Sequence, residues 1–128
     1  YQHIEGPDHF SDRMIRGLVA GPNGSLWAGC STGLYRIDRP DSDRPEAVRV
    51  IAGSDIQGLY VASDGIVWAG STTGRLFRIE ANQVTNIEVP FGPAMVFSLA
   101  GGRNGDLLVG AFGKGVHRYS PKSVTWTQ

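Results

Sequence analysis

Asp64-Gly65-Ile66-Val67-Trp68-Ala69-Gly70 decides the fold, because the chain writes it three times. Upstream stands Asn23-Gly24-Ser25-Leu26-Trp27-Ala28-Gly29, and downstream a looser copy, Asn104-Gly105-Asp106-Leu107-Leu108-Val109-Gly110. The copies recur about every 40 residues, a period that belongs to repeat architectures. Their flanks align as well. An aliphatic-x-x-Leu stretch precedes each copy, at Ile15 to Leu18, Ile56 to Leu59 and Val96 to Leu99. Leu34-Tyr35-Arg36-Ile37, Leu76-Phe77-Arg78-Ile79 and Val116-His117-Arg118-Tyr119 follow.

Each unit reads as four short strands punctuated by turn residues. In the first unit these are Met14 to Ala20, Ser25 to Gly29, Leu34 to Asp38 and Ala47 to Ile51. The second has Asp55 to Val61, Ile66 to Gly70, Arg75 to Glu80 and Val84 to Val89. The third has Met95 to Ala100, Asp106 to Ala111, Val116 to Tyr119 and Val124 to Thr127. Asn-Gly supplies the left-handed backbone that a tight hairpin needs. The prolines of Arg39-Pro40-Asp41-Ser42-Asp43-Arg44-Pro45 forbid a continuing ladder. No stretch repeats apolar residues at helical spacing for two turns, so no helix is expected. Four strands per unit of about 40 residues predicts an all-β chain of three consecutive propeller blades. The blades span about 14–51, 55–89 and 95–127, and Tyr1-Gln2-His3-Ile4 alternates like an outer strand of a preceding blade.

Composition narrows the function classes. The 128 residues suffice for one domain with a modest core. Twelve basic residues balance twelve acidic ones, which speaks against a nucleic-acid partner or a membrane-surface contact. No apolar run approaches the ~20 residues of a membrane span. Cys30 is the one cysteine, so an internal disulfide and a four-cysteine zinc site are excluded. The 18 glycines sit at repeating positions, as tight turns between strands require.

These residues resemble the two-component-regulator propeller repeat. The resemblance is closest in Gly24-Ser25-Leu26-Trp27-Ala28-Gly29-Cys30-Ser31-Thr32-Gly33-Leu34-Tyr35-Arg36-Ile37. The second copy keeps the pattern with one inserted residue before Gly74-Arg75-Leu76-Phe77. The third departs, with Leu108 in place of the tryptophan and Gly113-Lys114-Gly115 in place of the simple turn. The resemblance implies a periplasmic or extracellular sensor segment of a membrane-anchored bacterial signalling protein, of the hybrid histidine kinase or membrane diguanylate cyclase type. Such a segment would bind a small molecule or an oligosaccharide and catalyse nothing itself. Two alternatives stand beside it: a segment of a propeller lyase or glycosidase, and a protein-interaction propeller.

Repeated positions report the scaffold, and unrepeated loops are where function is grafted. Trp27 and Trp68 fall in one column and read as packing between blades rather than as a sugar platform. Arg36, Arg78 and Arg118 read as structural partners of backbone or acids. Asp64 aligns with Asn23 and Asn104, so it reads as a turn residue rather than a metal ligand or a general acid. Asp41-Ser42-Asp43 lacks the glycine and distal glutamate of a calcium loop. No catalytic residue, metal or cofactor is expected.

In propellers the turns between strands two and three share a face with the loops that lead into the next blade. That face carries His9, Phe10 and Arg13, then Ser31 and Thr32, Ser71 and Thr72, Phe91-Gly92-Pro93, and Phe112 with Lys114. Aromatics, hydroxyls and basic groups suit a polyhydroxylated or weakly acidic ligand. His9, Phe10, Arg13, Ser31, Thr32, Ser71, Thr72, Phe112 and Lys114 are the candidate ligand-binding residues. Three blades are also too few to close a ring of ~4–8. The terminal faces therefore need cover, from the remainder of a longer propeller or from a second copy of the chain. The surplus strand Tyr1 to Ile4 favours a longer chain of origin, whose isolated form self-associates.

Overall fold

A computed structural model describes Gly6, residues 15–43 and residues 45–128. The expected outer strand at Tyr1 to Ile4 lies outside the described residues.

The first sheet is a meander of β1 (Ile15–Ala20), β2 (Leu26–Cys30), β3 (Gly33–Asp38) and β4 (Glu46–Ala52). The second holds β5 (Ile56–Val61), β6 (Val67–Ser71), β7 (Leu76–Glu80) and β8 (Gln83–Ile87). The third holds β9 (Val96–Gly101), β10 (Leu107–Ala111), β11 (Gly115–Ser120) and β12 (Thr125–Thr127). All neighbouring strands pair antiparallel, which short turns allow. The three sheets are successive blades of a propeller whose ring is not closed.

The strand ends differ from the sequence expectation where side chains take over the backbone. Ser25 belongs to the turn: its hydroxyl donates to the Pro22 carbonyl at 2.7 Å and accepts the Trp27 indole N–H at 3.1 Å. Strand β8 starts one residue early because Ala81-Asn82 alone makes the turn, with Ala81 at φ 55°. Strand β12 starts one residue late because Val124 sits at φ 55°.

The three aligned hairpins reach one shape by two routes. Asn23 and Asn104 both take φ 58°, followed by Gly24 at 74° and Gly105 at 80°. Their turns close through Ser25 N–H to Pro22 O and Asp106 N–H to Arg103 O. At the second copy only Gly65 is left-handed, at φ 87°. There Gly65 N–H meets Ala62 O at 2.9 Å, and the Asp64 carboxylate accepts the Ile66 N–H at 3.1 Å. Aspartate thus does turn work at this column, by a side-chain acceptor rather than a left-handed backbone.

The core lies between blades. Trp27, Leu34 and Ile51 of the first sheet pack against Ile56, Val67, Phe77 and Ile79 of the second. Trp68 and Leu76 of the second pack against Val96, Leu107, Val109 and Tyr119 of the third. Trp68 meets Tyr119 edge to face, with centroids 6.0 Å apart. Each buried aromatic removes ~150–250 Å² from water, so these two tryptophans dominate the blade contacts.

Behind each tryptophan column stands an arginine on the next strand, since Trp27 pairs with Arg36, Trp68 with Arg78 and Leu108 with Arg118. Arg36 donates to Asp38 at 3.0 Å, and Arg78 reaches Glu80 at 3.0 Å. Arg118 donates to Thr127 at 3.2 Å and lies 3.8 Å from the Asp106 carboxylate. The guanidinium at this column satisfies polar neighbours on its own blade, and Arg36 also reaches the second blade, donating to Asn82 Oδ1 at 3.0 Å.

Candidate ligand-binding face

A repeated backbone contact ties the β6–β7 and β10–β11 turns to the inner strand of their own blade. Thr72 N–H donates to Asp55 O at 2.9 Å, and Phe112 N–H donates to Met95 O at 2.9 Å. In the first blade Gly53 N–H donates to Thr32 O at 3.0 Å. Turns between strands two and three and loops leading into the next first strand therefore share one end of the blades. The column beneath these turns must be small to fit under them. Cys30, Ser71 and Ala111 occupy it, all buried.

The candidate residues divide between surface and interior. Ser31 and Lys114 are exposed, and Thr32 and Thr72 are half-buried. The Thr32 hydroxyl is already engaged, 3.0 Å from the Tyr35 hydroxyl and 3.4 Å from Cys30 Sγ. Ser71 is placed inside rather than on the face. Its Oγ accepts the Arg75 N–H at 3.0 Å and lies 3.1 Å from Thr73 Oγ1. Phe112 is 70% exposed. The loop residue Phe91 is half-buried among rings, 4.8 Å from His117 and 5.9 Å from Trp126 between centroids. His9, Phe10 and Arg13 lie outside the described residues.

One partner on this face was not singled out in the sequence. Phe97 of β9 is 45% exposed and meets Phe112 edge to face, with centroids 6.5 Å apart and planes at 76°. Its column reads Arg16, Gln57 and Phe97 on the three inner strands, three chemistries at one repeated place. A column that refuses to repeat is the signal that would have found it. Arg16 at the same column makes a bidentate pair with Asp55 across blades, at 2.6 and 3.0 Å.

Two open rings and the Lys114 ammonium at the same turn can stack on an apolar face and donate to oxygens. Among the described residues no group of three His, Cys, Asp or Glu could hold a metal ion. At the far end of the blades, a cleft of about 340 Å³ opens between Asn23, Trp27, Arg36, Asp38 and Asn82. None of the described candidate residues lines it.

No family model and no curated protein matches this chain. Solved structures do. Virginiamycin B lyase from Staphylococcus aureus superposes with a TM-score of 0.74 at 20% identity, covering 91% of this chain and 41% of that one. The extracellular domain of a Bacteroides thetaiotaomicron protein described as a one-component system superposes with a TM-score of 0.74 at 20% identity, over 90% of this chain and 16% of that one. A Bacteroides caccae protein of unknown function gives a TM-score of 0.61 at 17% identity, over 91% and 45%. At these identities the likeness shows the propeller fold. The chain spans less than half the length of each of these structures.

Proposed function

We propose that this chain is a ligand-binding segment of an extracytoplasmic sensor propeller, and that its ligand is a small polyhydroxylated molecule such as an oligosaccharide. The observation that carries this reading is the Phe97–Phe112 pair beside Lys114, exposed at the turn end of a scaffold that otherwise repeats. Exposed aromatic area that fills no core is available to a ligand. The fold shared with the extracellular domain of a bacterial signalling protein supports the sensory setting. Among the described residues no helix is long and apolar enough to cross a membrane, so anchoring would fall to other parts of such a protein. Calorimetric titration of the chain with a panel of neutral and acidic oligosaccharides tests the reading. Saturable binding, lost in Phe112→Ala while the fold survives, is expected. Binding that ignores both Phe112 and Phe97 would remove the proposed site.

A second reading, a lyase segment, is favoured by the likeness to virginiamycin B lyase. Mass spectrometry of the same mixtures separates the two. Intact ligand after prolonged incubation fits sensing, and a cleaved product fits the lyase.

A further inference from the structure

We propose that the cleft between the first and second blades, at the hairpin end, is a separate binding site for a small carboxylic acid with an apolar body. Its volume of about 340 Å³ falls in the ~300–1,000 Å³ range of small-molecule pockets. Trp27, Val67 and Ile79 give it apolar walls, and Asn23, Arg36 and Asn82 give it polar groups. Arg36 would hold the acid's head. Asp38 accepts from its Nε through both carboxylate oxygens, at 3.0 and 3.1 Å, and Asn82 of the second blade accepts from Nη1 at 3.0 Å. The guanidinium is fixed from two blades and 24% exposed, while its Nη2 has no partner among the described residues. The bond to Arg36 uses the Asn82 oxygen, so the Asn82 NH2 group is left to donate. A fixed guanidinium edge beside an amide donor matches the two oxygens of a carboxylate. Asp38 offsets part of the positive charge, which favours a monoanion with an apolar body over a phosphate.

The repeat supplies its own comparison. The equivalent space between the second and third blades is only about 120 Å³. Tyr60 lines it, and its hydroxyl stands where a Cβ on Gly101 of the third blade would be. Val19 holds the same column in the first blade, since Val19 pairs with Trp27 as Tyr60 pairs with Trp68. Valine is too short to reach across in the same way. The charges differ as well. Asp64 and Asp106 line the smaller cleft and no cation does, so it repels an anion. Arg78, the counterpart of Arg36, is paired with Glu80 at 3.0 Å instead. A roomy cleft with a fixed cation is thus built once where the scaffold offers the place twice, and an unrepeated feature is where function is grafted. The cleft lies at the far end of the blades from the Phe97–Phe112 pair, so either site can fail its test without touching the other.

Amide and indole N–H shifts recorded while benzoate is titrated into the chain at constant ionic strength test it, with benzyl alcohol as the uncharged counterpart. Benzoate should give saturable shifts at Asn23, Gly24, Asn82 and the Trp27 indole, and should bind at least about tenfold more tightly than the alcohol, the scale of hydrogen bonds to a charged group. Arg36→Gln and Asn82→Ala should each weaken benzoate about tenfold. Arg78→Gln, in the same column of the next blade, should leave it unchanged. Asn82 lies in an exposed turn, so Asn82→Ala keeps the fold by circular dichroism and decides the matter if Arg36→Gln does not. Absence of saturation in the millimolar range overturns the proposal. So do equal binding of the alcohol, shifts centred on Asp64 and Asp106, and benzoate affinity indifferent to Asn82→Ala.

Discussion

Val96 fills the space in front of Gly70: its Cγ1 lies 2.3 Å from where a Cβ on that glycine would stand. The same relation joins Ile56 to Gly29 at 2.7 Å. Adding a methyl at either glycine forces two blades apart, and overpacking of this kind costs about 1–3 kcal/mol. Denaturant titration of Gly70→Ala and Gly29→Ala should show losses in that range, larger for Gly70. Gly110→Ala, whose nearest atom is 3.3 Å away in its own sheet, should lose less than either. Equal losses at Gly70 and Gly110 would contradict the glycine column as the blade-packing device.

Trp68→Ala should cost about 3–5 kcal/mol, the range for emptying a buried aromatic site. Trp68 is buried among Val96, Leu107, Val109 and Tyr119, and the space cannot collapse without moving a blade. Phe112→Ala should cost well under that, because its ring is mostly in water. Similar midpoints for the two variants would place Trp68 outside the core.

Val124 carries a β-branched side chain at φ 55°, a region such residues rarely adopt, and 70% of it is exposed. Val124→Gly removes that conflict and little buried area. It should stabilise the chain by about 1 kcal/mol, the scale of the left-handed penalty. A lower unfolding midpoint would show that the side chain contributes packing that outweighs the backbone conflict.

Arg16 and Asp55 link the first two blades through two hydrogen bonds, with both side chains about 29% exposed. Partial exposure keeps such pairs near 1 kcal/mol even in bidentate geometry. Asp55→Asn should therefore cost no more than about 1 kcal/mol in dilute buffer and less in strong salt. A loss of several kcal/mol, insensitive to salt, would mean the pair is buried in solution.

Much of this fold was legible because the chain states it repeatedly. Trp27 and Trp68 announce a buried column by recurring, and the inner strands of each blade fall where turn residues bracket short apolar runs, while the outer strands β8 and β12 are mostly polar. What escaped the sequence depends on which atoms meet. Asn23, Asp64 and Asn104 look interchangeable, yet Asp64 bonds through its carboxylate while the asparagines turn the backbone left-handed. Ser71 reads as a surface hydroxyl beside Thr72, but its column runs beneath the turn and buries it. Phe97 sits in a column that does not repeat, with Arg16 and Gln57 as its counterparts, and its ring contact with Phe112 brings it to the candidate face.

The central claim is that the turn end of the blades binds a polyhydroxylated ligand without converting it. Backbone amide shifts recorded while an oligosaccharide is titrated into the chain test it most directly. Shifts should concentrate at Ser31–Thr32, Thr72 and Phe112 to Lys114, with Phe97 moving alongside, while the hairpins at Asn23, Asp64 and Asn104 stay still. Shifts confined to those hairpins, or new resonances from a cleaved ligand, would contradict the account.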